Sequence, residues 1–363
     1  MANRSEAPTA RSTGSPAAPR LHGAWLARGK EGRFSAYLPR NGEVVRWTEG
    51  ADGRWTGPVS LGGGGVLLPG LSVGQGADGY VHLVALRPAA GGEPDHVELV
   101  HTTQYQTGRP ALEWRSLAHP NGPSYTWTGT PAVTVDGIGR TYVFSRNGGG
   151  GVSVRAQKDA GGWHPWWDLL GSKTDPSPVA VTNGSGFVEL YSSHAKGLVR
   201  YQQRESGGKP VREELLPASV TMGTLAAVTG PSGHTTAFYA DQEGWVCAWS
   251  PDRSLAPTRL VQTAGPGPLT ATRCVVDGAD RTVLAQRAED GRLALCAHPS
   301  EQEDAGTAWT YTGTPYRELS TALRAGPDGR LVALALADGT SLLTARVRPG
   351  GDALALEPWH TLD

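Results

Sequence analysis

The stretch Thr130–Leu170 reads TPAVTVDGIGRTYVFSRNGGGGVSVRAQKDAGGWHPWWDLL, and it decides the fold. A short apolar run (TPAVTV) meets a Gly/Asp turn (DGIGR). A second run (TYVFSR) follows, then a Gly-rich turn, a third run (VSVRAQ) and a Trp-rich fourth (WHPWWDLL). Runs of this length, bounded by residues that tolerate tight turns, are strands joined by hairpins. The same pattern restarts along the whole chain. The turn between the first and second strands recurs as GADGY (76–80), DGIGR (136–140), NGSGF (183–187), GPSGH (230–234), DGADR (277–281) and GPDGR (326–330).

A four-strand unit repeated seven times predicts an all-β, seven-bladed β-propeller with four antiparallel strands per blade. The expected blades span about 21–63, 66–121, 122–173, 174–219, 220–265, 266–314 and 315–363. Blade 2 is lengthened by extra residues over Ala89–Pro110. The first and last units each contain four strands, so the ring should close by packing blade 7 on blade 1 without strand exchange. Residues 1–20, rich in Ala, Ser, Pro and Arg, read as a disordered tail outside this single domain. No helix is expected, and the Gly-rich runs 61–65 and 148–151 read as loops, because a phosphate cradle needs a helix behind it.

Composition narrows the partners. The formal net charge is −1, with no basic stripe, which excludes the usual electrostatics of nucleic-acid and anionic-membrane binding. No window is apolar and long enough to span a bilayer. The N-terminus lacks an apolar signal core, so the expected location is the cytoplasm, with non-standard export left open. Cys247, Cys274 and Cys296 sit in strands at spacings that suit neither a metal nor a redox motif, and read as small core residues. No metal and no cofactor are expected, and the oligomeric state is not legible.

The segment Gly161–Gln203 carries a more specific signal: GGWHPWWDLLGSKTDPSPVAVTNGSGFVELYSSHAKGLVRYQQ. A Trp-rich outer strand ends in Leu-Gly. It is followed by Pro-x-Ala-Val, an Asn-Gly turn, an aromatic strand and a closing Gln. Trp163, Trp166, Leu170, Gly171, Pro178, Ala180, Asn183, Gly186, Tyr191, Gly197 and Gln202 carry the pattern, with weaker echoes in Arg54–Gly62 and Pro131–Gln157. This resembles the repeat of the tectonin-like and PLL-type (fucose-binding lectin-like) bacterial β-propeller family. The resemblance implies sugar sites in shallow pockets between blades or near one rim. It covers blades 1, 3 and 4, while blades 2, 5, 6 and 7 have lost most of its Trp and Gln marks.

Four groups of residues are candidates for chemistry. Tyr125-Thr-Trp127-Thr-Gly-Thr130-Pro and Trp309-Thr-Tyr311-Thr-Gly-Thr314-Pro share Thr-Gly-Thr-Pro after an aromatic pair. Both fall where an outer strand links to the next inner strand, and an aromatic plane beside hydroxyls suits a sugar. Alternatively they are repeat-encoded turns packed on a neighbouring blade. Trp163, Trp166 and Trp167 with His164 form a second group. Regular strand alternation would place Trp163 with Trp167, and His164 with Trp166. The central channel is the third, supplied by inner-strand residues that include Trp25, Arg28, Gln75, Arg273, Glu318 and Arg324. The fourth is the blade-2 insertion with Asp95, His96, Glu98, His101 and His119, a lid or pocket wall more than a metal site.

Two functions from different classes follow. The first is binding of a glycan or glycosylated small molecule, with Tyr125, Trp127, Thr130, Trp309, Tyr311, Thr314, Trp25 and Arg28 as contacts. The second is an enzyme of bacterial specialised metabolism (a cyclase, isomerase or hydrolase) using Arg273, Glu318 and Arg324 at one channel mouth. A protein-interaction scaffold is a third reading that needs only exposed loops.

Overall fold

A computed structural model describes residues 20–21, 25–62, 64–91, 96–121, 125–194, 196–348 and 354–362. The chain forms seven four-stranded antiparallel sheets in sequence order, one per repeat, so the protein is a seven-bladed β-propeller. Their inner strands are Leu26–Arg28, Gly70–Gln75, Ala132–Val135, Val179–Thr182, Ala226–Thr229, Thr270–Val276 and Leu319–Ala325, each next to the following one around a central axis. Every blade runs outward through consecutive strands, and blade 7 packs directly on blade 1. One element was not signalled by the repeat: Arg20–Leu21 adds a fifth, parallel strand to the inner edge of blade 2, opposite Gly70 and Leu71. The expected tail of residues 1–19 lies outside the described residues. A single helical turn, Tyr125–Thr128, departs from the expectation of no helix.

Blades are glued by two devices. Their faces bury alternating aliphatic and aromatic side chains: Trp25, Phe34, Tyr37 and Trp47 of blade 1 meet Leu71 and Leu83 of blade 2 and Leu334 of blade 7 in one core. Near the axis, threonines stitch inner strand to inner strand. Thr134 Oγ1 lies 2.9 Å from Thr182 Oγ1, Thr229 Oγ1 donates to the Thr182 carbonyl at 2.9 Å, and Thr270 Oγ1 donates to the Thr321 carbonyl at 3.1 Å.

The repeated turns form a third seam on one face. The Gly137 N–H donates to the Gly186 carbonyl and the Gly184 N–H to the Gly233 carbonyl, both at 2.8 Å, tying blades 3, 4 and 5 by backbone alone. Glycine is required here by proximity. A Cβ on Gly184 would sit 2.4 Å from the Gly233 Cα, with no flexible side chain to give way. Gly184→Ala should therefore cost about 2–3 kcal/mol of stability, read as a lower urea midpoint with an unchanged slope.

The three cysteines are free and buried, and burial pushes each thiol up to about 12, so they behave as core residues.

Candidate functional site

The channel contains a cavity of about 140 Å³ walled mainly by Val73, Pro131, Ala132, Pro178, Ala226 and Leu269. It is apolar and smaller than the few hundred Å³ that ligand pockets occupy. The charged trio expected at one mouth is not brought together. Arg324 is the penultimate residue of the inner strand of blade 7, near the face of the first-to-second turns, whereas Glu318 precedes the same strand at its other end. The Glu318 side chain is exposed and its N–H donates to Asp338 Oδ1 at 3.0 Å. Arg273 is held in an ion pair with Asp280 at 2.6 Å on the surface of blade 6.

The two aromatic motifs diverge in conformation despite their shared residues. Tyr125–Thr128 is helical, whereas Thr310–Thr312, which contains Tyr311, is the outer strand of blade 6. They stand on different blades and form no common site. The Trp127 ring lies under the Arg146 guanidinium at 3.9 Å, and its Nε1 donates to the Asn147 carbonyl. Trp309 donates to the Gln262 carbonyl at 2.6 Å and packs on blade-5 and blade-6 apolar residues, while Tyr311 is left exposed beside Arg292. Thr130 is buried, and its N–H donates to the Pro176 carbonyl; Thr314 is exposed. Trp25 is 1 % exposed inside the core and presents no surface to a ligand.

The Trp cluster reverses the expected parity. Pro165 interrupts the strand, so only Trp167–Asp168 are regular strand. Trp163 and Trp166 both pack on the blade-2/blade-3 core, with Trp166 Nε1 donating to the Leu117 carbonyl, and His164 instead lies against Trp167 at 4.9 Å. These rings weld blades together.

In the blade-2 insertion, Asp95 lies outside the described residues. Glu98 pairs with Arg87 at 2.7 Å, and His119 Nε2 lies 2.9 Å from Thr128 Oγ1. His96 and His101 are an odd number of residues apart near one strand, which separates them to opposite faces. Among the described residues no three His, Cys, Asp or Glu side chains gather as a metal would need.

The arrangement with the chemistry of a binding site is the seam between blades 7 and 1, a cleft of about 500 Å³. Trp55, first residue of the outer strand Trp55–Ser60, forms one wall, half-buried and backed by the blade-1 core. Thr344 and Arg346 project from strand Ser341–Arg346, two residues apart and hence on one face. His360 is paired with Thr344 across the outer strand, and Glu357 donates its N–H to the Arg346 carbonyl at 2.8 Å. Arg346 is fixed by an ion pair to the buried Glu49 carboxylate, which crosses from blade 7 to blade 1. An aromatic wall therefore stands beside a guanidinium, a carboxylate, an imidazole and hydroxyls. A second cleft of about 440 Å³, between blades 6 and 7, is lined by Asp277, Arg281 and Thr307 but, among the described residues, by no aromatic ring.

No known family model matches the chain, and no curated protein is significantly similar in sequence. Solved structures do share its architecture. The BP39L lectin from Burkholderia pseudomallei superposes with a TM-score of 0.71 at 16 % identity, covering 94 % of this chain and 99 % of the lectin. An ulvan lyase of a polysaccharide lyase family gives 0.58 at 12 % identity, covering 93 % of each chain. The SapL1 lectin, solved with α-methyl fucoside, gives 0.50 at 12 % identity, covering 80 % of this chain and 94 % of the lectin. At these identities the likeness is one of fold, and the fold carries both lectins and an enzyme.

Sequence reasoning missed Trp55, Arg346, Glu357 and His360 as a group. The available signal was the echo of the lectin repeat at Arg54–Gly62, which contains Trp55. Nothing local announces that residues near 55 and near 350 become neighbours, because ring closure alone joins them.

Proposed function

We propose that the protein binds a carbohydrate in the cleft between blades 7 and 1, as a lectin-like propeller of the tectonin-like or PLL type. One observation carries this reading: Trp55 faces a cleft that also presents Arg346, Glu357, His360 and Thr344. A sugar offers an apolar C–H face for a ring and hydroxyls for charged partners, and charge-assisted hydrogen bonds to those hydroxyls are the strong kind. The cleft has the volume of one or two sugar rings. Inter-blade placement agrees with what the repeat resemblance implies, and the names of BP39L and SapL1 describe lectins of this fold. The blades differ too much for seven equivalent sites, so binding here is through one seam.

The enzymatic reading loses its proposed residues, since Arg273, Glu318 and Arg324 are dispersed, and among the described residues no arrangement in the channel replaces them. Three buried, free cysteines fit a reducing compartment such as the cytoplasm. Among the described residues no helix is long and apolar enough to cross a membrane.

A glycan array followed by calorimetry tests the proposal. Wild-type protein should give a hit with affinity in the usual micromolar-to-millimolar range for one sugar site, and Trp55→Ala should weaken it at least about tenfold, equivalent to about 1.4 kcal/mol. Glu357→Gln should weaken it less while leaving the fold intact. An array without hits, or a hit insensitive to Trp55→Ala, refutes the site.

A further inference from the structure

The mouth of the channel on the turn face holds a different pocket, of about 490 Å³, where the first turns of blades 7, 1 and 2 meet. It is independent of the seam between blades 7 and 1. Arg28, Lys30 and Arg324 line it. Arg28 Nη1 donates to the carbonyls of Ala325 and Gly326 at 2.9 and 2.7 Å, and Arg324 Nη2 donates to Gln75 Oε1 at 2.7 Å. The same Gln75 oxygen also accepts from the Arg28 N–H at 3.2 Å. Neutral acceptors thus hold two guanidiniums, and among the described residues no carboxylate lies within ion-pair distance of Arg28, Lys30 or Arg324.

Other arginines bridge blades in two ways: Arg46 and Arg155 donate to carbonyls of the neighbouring blade, while three more meet carboxylates. Arg346 has Glu49, Arg200 has Asp252, and Arg253 has Glu303. One carboxylate, Glu31, also lines this pocket, but it is engaged by Arg33 at 3.4 Å and by Thr107 and not by Arg28, Lys30 or Arg324. Burial, and after it the charge of Arg28, pull Arg324 down to about 10. Gly29 and Gly76 are covered by the side chains of Glu31 and Asp78, and Gly32 by Pro327, so the open part of the pocket is the space between the two guanidiniums and Lys30.

We propose that this mouth is a binding site for a small oxyanion, a carboxylate, phosphate or sulfate group, held by the guanidiniums of Arg28 and Arg324 and the ammonium of Lys30. Guanidinium forks match planar and tetrahedral oxyanions, and an anion removes the repulsion between the two arginines. The chemistry is shared by inorganic anions, phosphorylated or sulfated small molecules, and sugar acids.

Calorimetry on the full chain at low salt, with phosphate, sulfate and glucuronate as separate probes and glucose as the neutral comparison, decides it. Saturable one-to-one binding of at least one oxyanion is expected, with a Kd of about 1 mM or tighter, and none of glucose at this mouth. Tighter glucuronate indicates a sugar acid; tighter phosphate or sulfate indicates an inorganic or esterified anion. Lys30→Glu, at an exposed position, should weaken binding at least about tenfold, and Arg324→Gln should abolish it. Trp55→Ala, at the other site, should leave it unchanged. Should Arg324→Gln fail to fold, Lys30→Glu still separates the two outcomes. Absence of saturation with all three anions, or binding unaffected by Lys30→Glu, overturns the proposal.

Discussion

Replacing Arg200 by Ala should lower stability by about 3–5 kcal/mol, the largest effect expected of a single side chain here. Arg200 is 2 % exposed and Glu189 is fully buried beside it. Arg200 Nη2 donates to Glu189 Oε1 at 3.1 Å, while Nε sits 3.0 Å from Oε2 without hydrogen-bond alignment. Its Nη1 and Nη2 reach across to blade 5, where Asp252 accepts both at 2.8 and 2.9 Å. Glu189 also accepts from Tyr191 and Asn183 at 2.8 Å each. Burial by itself would pull the guanidinium down, but its carboxylate partners outweigh it and hold the group above its ordinary range. Removing the cation leaves Glu189 charged and dry, with only dipoles for company. The double variant Arg200→Met with Glu189→Leu should be far milder than Arg200→Ala, because it removes the stranded charge as well. Thermal unfolding of the four corners of that cycle measures the coupling; additive effects would show that the pair does not act as a unit.

The second large effect is a loss of stability in mild acid. His82 and His101 are buried between blades 2 and 3, with His82 Nδ1 3.1 Å from His101 Nε2 and 3.0 Å from Thr141 Oγ1. The Trp163 ring closes the pocket against His101. Burial pushes His82 down to about 4, with Asp78 opposing it, and burial together with His82 pushes His101 down to about 3. Both imidazoles are neutral when folded, and one must donate to the other. In the unfolded chain each protonates near pH 6.5. Between that value and the folded values the unfolded state binds more protons, so stability is complete above about pH 6.5 and drains away as pH falls. At pH 5 the two sites together cost on the order of 4 kcal/mol relative to pH 7.5. Urea unfolding at both pH values reads this directly. The double variant His82→Gln with His101→Gln should remove the larger part of the dependence between pH 5 and 6.5, the remainder coming from His119 and His298, which burial also pulls down, and an unchanged slope would contradict the assignment.

The architecture was readable because its cause is local. Each hairpin is encoded within about ten residues by alternation and a Gly/Asn/Asp turn, and seven such units leave few other ways to bury their faces. What failed to read was whatever depends on neighbours from other blades. Pro165 breaks an alternation that parity arguments assume, which moved Trp166 to the side of Trp163. The shared Thr-Gly-Thr-Pro ending did not impose one conformation on Tyr125-Thr-Trp127 and Trp309-Thr-Tyr311, since tertiary context chose a helical turn for one and a strand for the other. Arg324 was legible as unusual, being charged and near the axis, but not that Glu318 would lie at the other end of the same strand. Trp55 and Arg346 meet only where the ring closes, roughly 290 positions apart in the chain. Arg200 and His82 carry no motif; their importance comes from partners on adjacent strands and blades.

The most direct test of carbohydrate binding at the closing seam is a crystal structure of the protein grown or soaked with the strongest glycan-array hit. The sugar should lie with its C–H face on Trp55 and its hydroxyls against Arg346 and Glu357. Density for the sugar at any other seam or rim, with the cleft between blades 7 and 1 empty, would contradict it.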